Sequence, residues 1–196
     1  MLHVYCLPLG DYQTNCYIVH QEDSHACFVV DPGYEADAIL DFCAGKKLKI
    51  DAILLTHGHF DHVGAVRELA AETECAVYLH EAELTMPPMM TAGKLHYTHT
   101  YDEGTVLNPA GIPVEVLHTP GHTPGSVCLK SGDHLFSGDT LFAMSCGRTD
   151  LPGGSWKTIQ NSLGRLASLE GSYWVHPGHG ESTTLAQEKK YNPYMR

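Results

Sequence analysis

The sequence predicts an α+β fold in which two β-sheets pack face to face with helices on the outside. Three observations lead there. Strand, helix and strand again occur in both halves of the chain, and a sheet or amphipathic helix must cover its apolar face with another layer. The 196 residues suffice for one well-buried domain and are short for two. No low-complexity segment or linker divides them.

Residues 2–8, 13–20 and 26–30 are short β-rich runs separated by Gly10-Asp11 and the polar stretch 21–25, which predicts an antiparallel meander ended by Asp31-Pro32-Gly33. A helix follows over 35–44, with Ala38, Ile39, Phe42 and Cys43 on one face and Gly45 as its stop signal. Residues 47–50 lead into a buried strand, Ala52-Ile53-Leu54-Leu55, and beyond His62 the apolar positions Val63, Val66, Leu69 and Ala70 recur at helical spacing. A strand over 76–79 and a helical turn near 81–85 complete the first half. Residues 86–101, rich in Met, His and Tyr, have no clean periodicity and read either as an ordinary surface loop or as a substrate lid. In the second half, strands over 112–117, 126–130 and 134–136 each precede a glycine-bearing turn. Trp156, Ile159, Leu163 and Leu166 mark an amphipathic helix with Ser155 as N-cap. A last strand over 173–176 and a helix over 184–190 close the chain.

Twelve Lys and Arg against 23 Asp and Glu give a net charge of −11, with no block of like charges. That argues against nucleic acid and anionic membrane as partners, since both require a basic footprint. The N-terminus lacks a basic segment followed by an apolar core, and no apolar run approaches membrane-spanning length, so a cytoplasmic protein is expected. The seven cysteines are scattered, without a C-x-x-C pair, and read as reduced core thiols. Cys146, beside Gly147, is the one placed where a reactive thiol is conceivable.

The chemistry concentrates in Thr56-His57-Gly58-His59-Phe60-Asp61-His62, directly after the buried strand. In extended backbone, side chains two apart share a side, so His57 and His59 can grip one cation together. Asp61 and His62 are adjacent; in an extended chain they cannot both face that cation, and they are better placed to serve a second. Imidazole with carboxylate suits zinc, iron or manganese, whereas calcium and magnesium prefer oxygen cages. Three histidines and an aspartate buried this closely are costly without a cation to share. Three later segments repeat the form of apolar run, glycine turn and ligand type: Thr119-Pro120-Gly121-His122-Thr123-Pro124-Gly125, Phe136-Ser137-Gly138-Asp139-Thr140 and His176-Pro177-Gly178-His179-Gly180. Together with the first motif they supply seven ligands, enough for two cations bridged by one carboxylate and one water.

Through its H-x-H-x-D-H motif and these three segments, essentially the whole chain resembles the metallo-β-lactamase fold superfamily. The resemblance implies an αβ/βα four-layer sandwich of two mixed sheets. It implies two divalent ions per chain, zinc first, with iron or manganese compatible. Metal one would be held by His57, His59 and His122, metal two by Asp61, His62 and His179, with Asp139 as the bridge. Asp31 matches a position the family uses to support the metal loop, and His118 either joins that support or is a packed core histidine. Ser137-Gly138-Asp139-Thr140-Leu141-Phe142 followed by Cys146-Gly147-Arg148-Thr149-Asp150 looks most like the glyoxalase II branch, the hydroxyacylglutathione hydrolases. There a basic residue after Cys-Gly contacts glutathione, and Arg148 occupies the matching place; by residue type alone it is equally a solvated side chain or an ion pair with Asp150. Full-length glyoxalase II enzymes carry a helical C-terminal domain that completes the glutathione site. The chain ends at Arg196, so a single domain over 1–196 without that addition is expected, as in the short bacterial glyoxalase II-like hydrolases.

The activity implied is hydrolysis of S-hydroxyacylglutathione-type thioesters by a metal-bridging hydroxide, with Asp61 orienting the nucleophile and Asp139 holding both cations. A thiolate leaves without a proton, so no separate general acid is required. The expected partner is a small-molecule thioester. A rival is a persulfide dioxygenase with one iron on the residues corresponding to His57, His122 and Asp139, which resembles the chain through the same histidine motif and Gly147-Arg148-Thr149-Asp150. Pro177-Gly178-His179-Gly180 looks more like the dinuclear hydrolases. A third reading is a binding or sensing module that holds metal without turnover, disfavoured because the inferred shell leaves a water position open.

Overall fold

A computed structural model describes residues 1–195. The first sheet contains β1 (Leu2–Leu9), β2 (Thr14–Gln21), β3 (Ala26–Val30), β4 (Lys49–Leu54), β5 (Ala76–His80) and β6 (His99–Tyr101), in that spatial order. β1, β2 and β3 form the expected antiparallel meander, and β3 to β6 run parallel. The parallel crossovers carry α1 (Ala36–Gly45), α2 (Phe60–Val63) and α3 (Val66–Thr73). In the second half lie β7 (Val106–Leu107), β8 (Val114–His118), β9 (Val127–Ser131), β10 (His134–Gly138), the small hairpin of β11 (Leu141–Phe142) and β12 (Ser145–Cys146), β13 (Trp174–Pro177) and β14 (Thr183–Thr184). The second sheet has the order β14-β13-β10-β9-β8-β7 and is also mixed, because β10 pairs parallel with β13. α4 (Trp156–Ser168) and α5 (Leu185–Tyr191) belong to this half.

Alternation along the strands builds the four layers. On β2, Tyr17 and Val19 face the space between the sheets, where they meet Phe28, Leu54, Val116, Leu129 and Phe136. Cys16 and Ile18 point the other way, into a cluster with Ile39 and Cys43 of α1 and Val66 and Leu69 of α3. The outer face of the second sheet sends Cys128, Leu135 and Val175 against Ile159, Leu163 and Leu166 of α4 and Leu185 of α5. Each layer is thus apolar only where another layer covers it. Ser155 caps α4 by accepting the Thr158 amide, and Thr184 caps α5 by accepting that of Gln187.

Two expectations need correction. Gly45 does not stop α1 but ends it as its last helical residue, and Lys47 takes the left-handed turn at φ 57°. The short strands β6, β7, β11, β12 and β14 went unpredicted, since two or three residues cannot display an alternation. The 86–101 segment is a surface segment anchored to the fold, and its Met90 lines the cavity beside His59 and Asp61. Met86 and Leu95 are buried in it, the Met90 carbonyl accepts the Phe60 amide at 2.8 Å, and its end becomes the edge strand β6. Among the described residues no helix is long and apolar enough to cross a membrane.

Candidate metal centre

All seven predicted ligands meet at one end of the sandwich, five delivered by the turns that follow strands and two, Asp61 and His62, by the short helix α2. His57 and His59 follow β4, and their imidazoles converge with that of His122 from the loop after β8. Asp61 and His62 converge with His179 from the loop after β13. The adjacent pair can do so because the chain is no longer extended there. It has turned into α2, whose tight rise swings neighbouring side chains around one axis. Asp139, just after β10, stands between the two groups. Its Oδ2 lies 3.4 Å from His122 Nε2 and its Oδ1 3.4 Å from His62 Nε2.

The hydrogen bonds behind the rings decide which nitrogen each one offers. Asp31 accepts the Thr56 hydroxyl at 2.6 Å and the Thr56 amide at 2.7 Å. With its proton given to Asp31, the Thr56 hydroxyl oxygen accepts from His57 Nδ1 at 3.1 Å. His62 Nδ1 donates to Asp31 at 3.0 Å, His122 Nδ1 to the Arg148 carbonyl at 2.8 Å, and His179 Nδ1 to the Tyr12 carbonyl at 3.1 Å. Four histidines therefore keep a proton on Nδ1 and leave the Nε2 lone pair for the centre. His59 is reversed, presenting Nδ1 at 2.9 Å from His122 Nε2.

His57 Nε2, His59 Nε2 and Asp139 Oδ1 are buried with no hydrogen-bond partner among the described residues. Buried polar atoms without partners are costly, and a divalent cation would satisfy the two that act as acceptors toward the centre, His57 Nε2 and Asp139 Oδ1. The donor set, five imidazoles and two carboxylates, fits such an ion. Burial and then the neighbouring imidazoles push His57 well below the ordinary histidine value, and burial pushes His59 down to about 4. At His62 burial is opposed and overcome by Asp139, Asp31 and Asp61, which hold the ring up to about 9, so a cation that takes its Nε2 must displace a proton. Asp61 likewise stays below the usual carboxylate range, because His179 and His62 outweigh its burial.

Close backbone approach explains the glycines. A Cβ on Gly178 would lie 2.2 Å from Asp139 Oδ1, and one on Gly138, at φ 48°, would lie 2.3 Å from Thr56 Oγ1. Asp31 sits where expected, behind His62, with a left-handed φ of 50°. His118 touches none of the ligands. It stacks on His80 and bonds the Pro124 carbonyl at 3.0 Å, bracing the loop that carries His122. Arg148 lines the cavity above the centre, but its guanidinium is held by Asp150 through two 2.8 Å hydrogen bonds. Cys146 lines the same cavity, and burial raises its thiol, the opposite of what a reactive thiolate needs.

Sequence reasoning missed Glu83, a fully buried carboxylate that accepts the amides of Gly58 and Gly125. Nothing in a short turn containing Glu81 and Glu83 marks one of them as structural. Thr56 was visible as the first residue of the motif, although its relay between Asp31 and His57 was not.

Residues 9–179 match the family model of the metallo-beta-lactamase superfamily. The chain is 31% identical over 212 residues to the hydroxyacylglutathione hydrolase GloC of Haemophilus influenzae, covering 99% of this chain and 98% of that protein. The crystal structure of the BLEG-1 B3 metallo-beta-lactamase matches with a TM-score of 0.91 and 35% identity, covering 100% of this chain and 99% of that one. The crystal structure of TTHA1623 in a di-iron-bound form matches with a TM-score of 0.85 and 38% identity, covering 97% and 100%.

Proposed function

The chain belongs to the metallo-beta-lactamase superfamily of metallohydrolases, and from that premise we propose that it hydrolyses thioesters, the class that includes the S-hydroxyacylglutathiones, on a two-metal centre. The observation that carries this reading is the position of Asp139 between the two histidine groups, with Oδ2 3.4 Å from His122 and 3.7 Å from His179 and Oδ1 3.4 Å from His62. His57, His59 and His122 would hold one cation, and Asp61, His62 and His179 the other, with Asp139 shared. Zinc is the first expectation, and a di-iron-bound relative keeps iron beside it. When bound, two such ions supply a water whose pKa falls from 15.7 toward about 7 and positive charge beside the acyl oxygen.

The chain's own residues supply the rest. The Asp61 carboxylate, whose Oδ2 lies 3.2 Å from His179 Nε2, can accept a hydrogen bond from the attacking water and aim it at the acyl carbon. The Thr56–Asp31 pair fixes His57 and His62 in the tautomers that leave Nε2 free. Phe60, Met90 and Phe142 line the cavity and exclude bulk water from the reacting groups. A thiolate departs without a proton, so the centre needs no acid on the leaving side. The likeness to GloC over the full length supports thioesters as the substrate class. All seven cysteines are free thiols, which supports a reducing compartment such as the cytoplasm.

The test is metal content on protein purified without added metal. S-lactoylglutathione hydrolysis, nitrocefin hydrolysis and oxygen uptake with glutathione persulfide are measured on the same sample. The expected result is about two metals per chain with thioester hydrolysis, both lost in His62→Ala and His179→Ala. One iron per chain with oxygen uptake and no hydrolysis would overturn it in favour of the persulfide dioxygenase, and nitrocefin turnover without thioester turnover in favour of a β-lactamase.

A further inference from the structure

The cavity over the metal centre encloses about 550 Å³, within the range of small-molecule sites. Its walls are largely apolar. Tyr12 and Phe60 meet edge to face with ring centroids 5.3 Å apart, and Met90 continues that wall. On the His179 side Phe142 approaches the imidazole at 6.3 Å, and Leu151 completes the lining. Among the described residues Arg148 is the one cationic side chain that lines the cavity. Its charge is already matched by Asp150, and the pair sits at the solvent rim with both side chains more than half exposed. Within this lining the tripeptide carboxylates of glutathione would meet no Lys or Arg other than the Asp150-paired Arg148, on a chain of net charge −11. An apolar acyl group, by contrast, finds two aromatic faces and a flexible methionine to cover it.

We infer that this cavity selects thioesters by an uncharged, apolar acyl group of several carbons, taken up by the wall of Tyr12, Phe60 and Met90, and that it gives no advantage to glutathione as the thiol. The inference rests on the thioester-hydrolase reading of the same site. In the step itself, water oxygen bonds to the acyl carbon and the carbon–sulfur bond breaks with its electron pair on sulfur. Carboxylate, thiolate and two protons result. Burying each additional methylene fully against the wall is expected to raise kcat/KM roughly fourfold.

The experiment uses the metal-loaded full chain with acetyl, butanoyl and hexanoyl thioesters of N-acetylcysteamine, which is uncharged, and with the same three acyl groups on glutathione. Rates are divided by those of spontaneous hydrolysis. The expected kcat/KM for hexanoyl exceeds that for acetyl by at least tenfold on both thiols, with the two thiols within a fewfold of each other. Tyr12→Ala and Met90→Ala should flatten the chain-length dependence; the Tyr12 ring is largely exposed, so its removal does not threaten the fold. A flat acyl series overturns the inference while leaving the hydrolase reading standing. So does a tenfold preference for the glutathione esters that disappears in Arg148→Ala. If the metal-loaded protein turns over no thioester of either series, the hydrolase reading fails and takes this inference with it.

Discussion

The buried carboxylate of Glu83 accepts the backbone amide of Gly58 at 2.6 Å, inside the loop that carries His57 and His59, while its other oxygen accepts the amide of Gly125 at 2.7 Å, three residues beyond His122. One side chain thus ties together the two loops that supply the first histidine group. A carboxylate suits the task because both partners donate and it has no proton to turn toward either. In Glu83→Gln the amide NH₂ must face one of those N–H groups, leaving a buried donor unpaired at a cost of ~1–3 kcal/mol. The expected outcome is a lower denaturation midpoint together with weakened metal retention at the first group. An unchanged midpoint and full metal content would show that the loops hold their spacing without Glu83.

Asp31 governs the second group in a comparable way, since it accepts from Thr56 twice and from His62 once. Asparagine has a single acceptor oxygen and must turn its NH₂ toward one of those donors. Asp31→Asn should therefore weaken the metal bound through His62 by about tenfold to a hundredfold, read by zinc competition against a chromophoric chelator. The idea fails if both metals bind as tightly as in the unaltered chain.

How much of this was legible in the sequence depends on where each signal resides. The strands β2, β3, β4 and β9 are long enough to show buried runs, and the helices α1 and α4 long enough to show an apolar face, so the layers could be read directly. The seven predicted ligands were readable because each lies in or just after a glycine-bearing turn that follows an apolar run. The adjacency of Asp61 and His62 pointed to a second cation for a reason that holds only in extended chain; the short helix α2 is what brings both to it. Glu83 was illegible, because its role depends on two amides far away in sequence that only the folded loops bring to it. The lining of the cavity was equally hidden, since Tyr12, Phe60, Met90 and Phe142 come from four separate segments.

Gly178 separates a ligand error from a folding error. A methyl there would lie 2.2 Å from Asp139 Oδ1 and 2.7 Å from His62 Cε1, so the shared carboxylate must move. Gly178→Ala should keep its secondary structure by circular dichroism and lose roughly one metal per chain. Gly164 in α4 has nothing within 4 Å of an added Cβ, so Gly164→Ala should instead stabilise the protein by about 0.5–1 kcal/mol. Retention of two metals and full activity in Gly178→Ala would contradict the tight contact drawn here.

Away from the candidate metal centre, His176 on β13 gives the fold a defined acid sensitivity. Its ring packs against Phe136 and Tyr17 between the sheets, its Nε2 meets His134 Nδ1 at 2.9 Å and its Nδ1 meets Ser182 Oγ at 3.2 Å. Burial first, and then His134, push it down to about 4. In the unfolded chain the same ring titrates near 6.5. Between those values the unfolded state binds the extra proton, so stability falls as the pH drops from about 6.5 toward about 4 and is independent of this group above that window. The full effect of such a shift is about 3 kcal/mol. Other histidines titrate in the same range, so the informative quantity is a difference of differences. Urea midpoints at pH 5 and pH 7.5 are compared between the unaltered chain and His176→Asn, which has no proton to gain. The variant should lose less stability on acidification, even where it is less stable at pH 7.5. An equal loss in both proteins would mean that His176 is already protonated in the fold at pH 5, contrary to its burial.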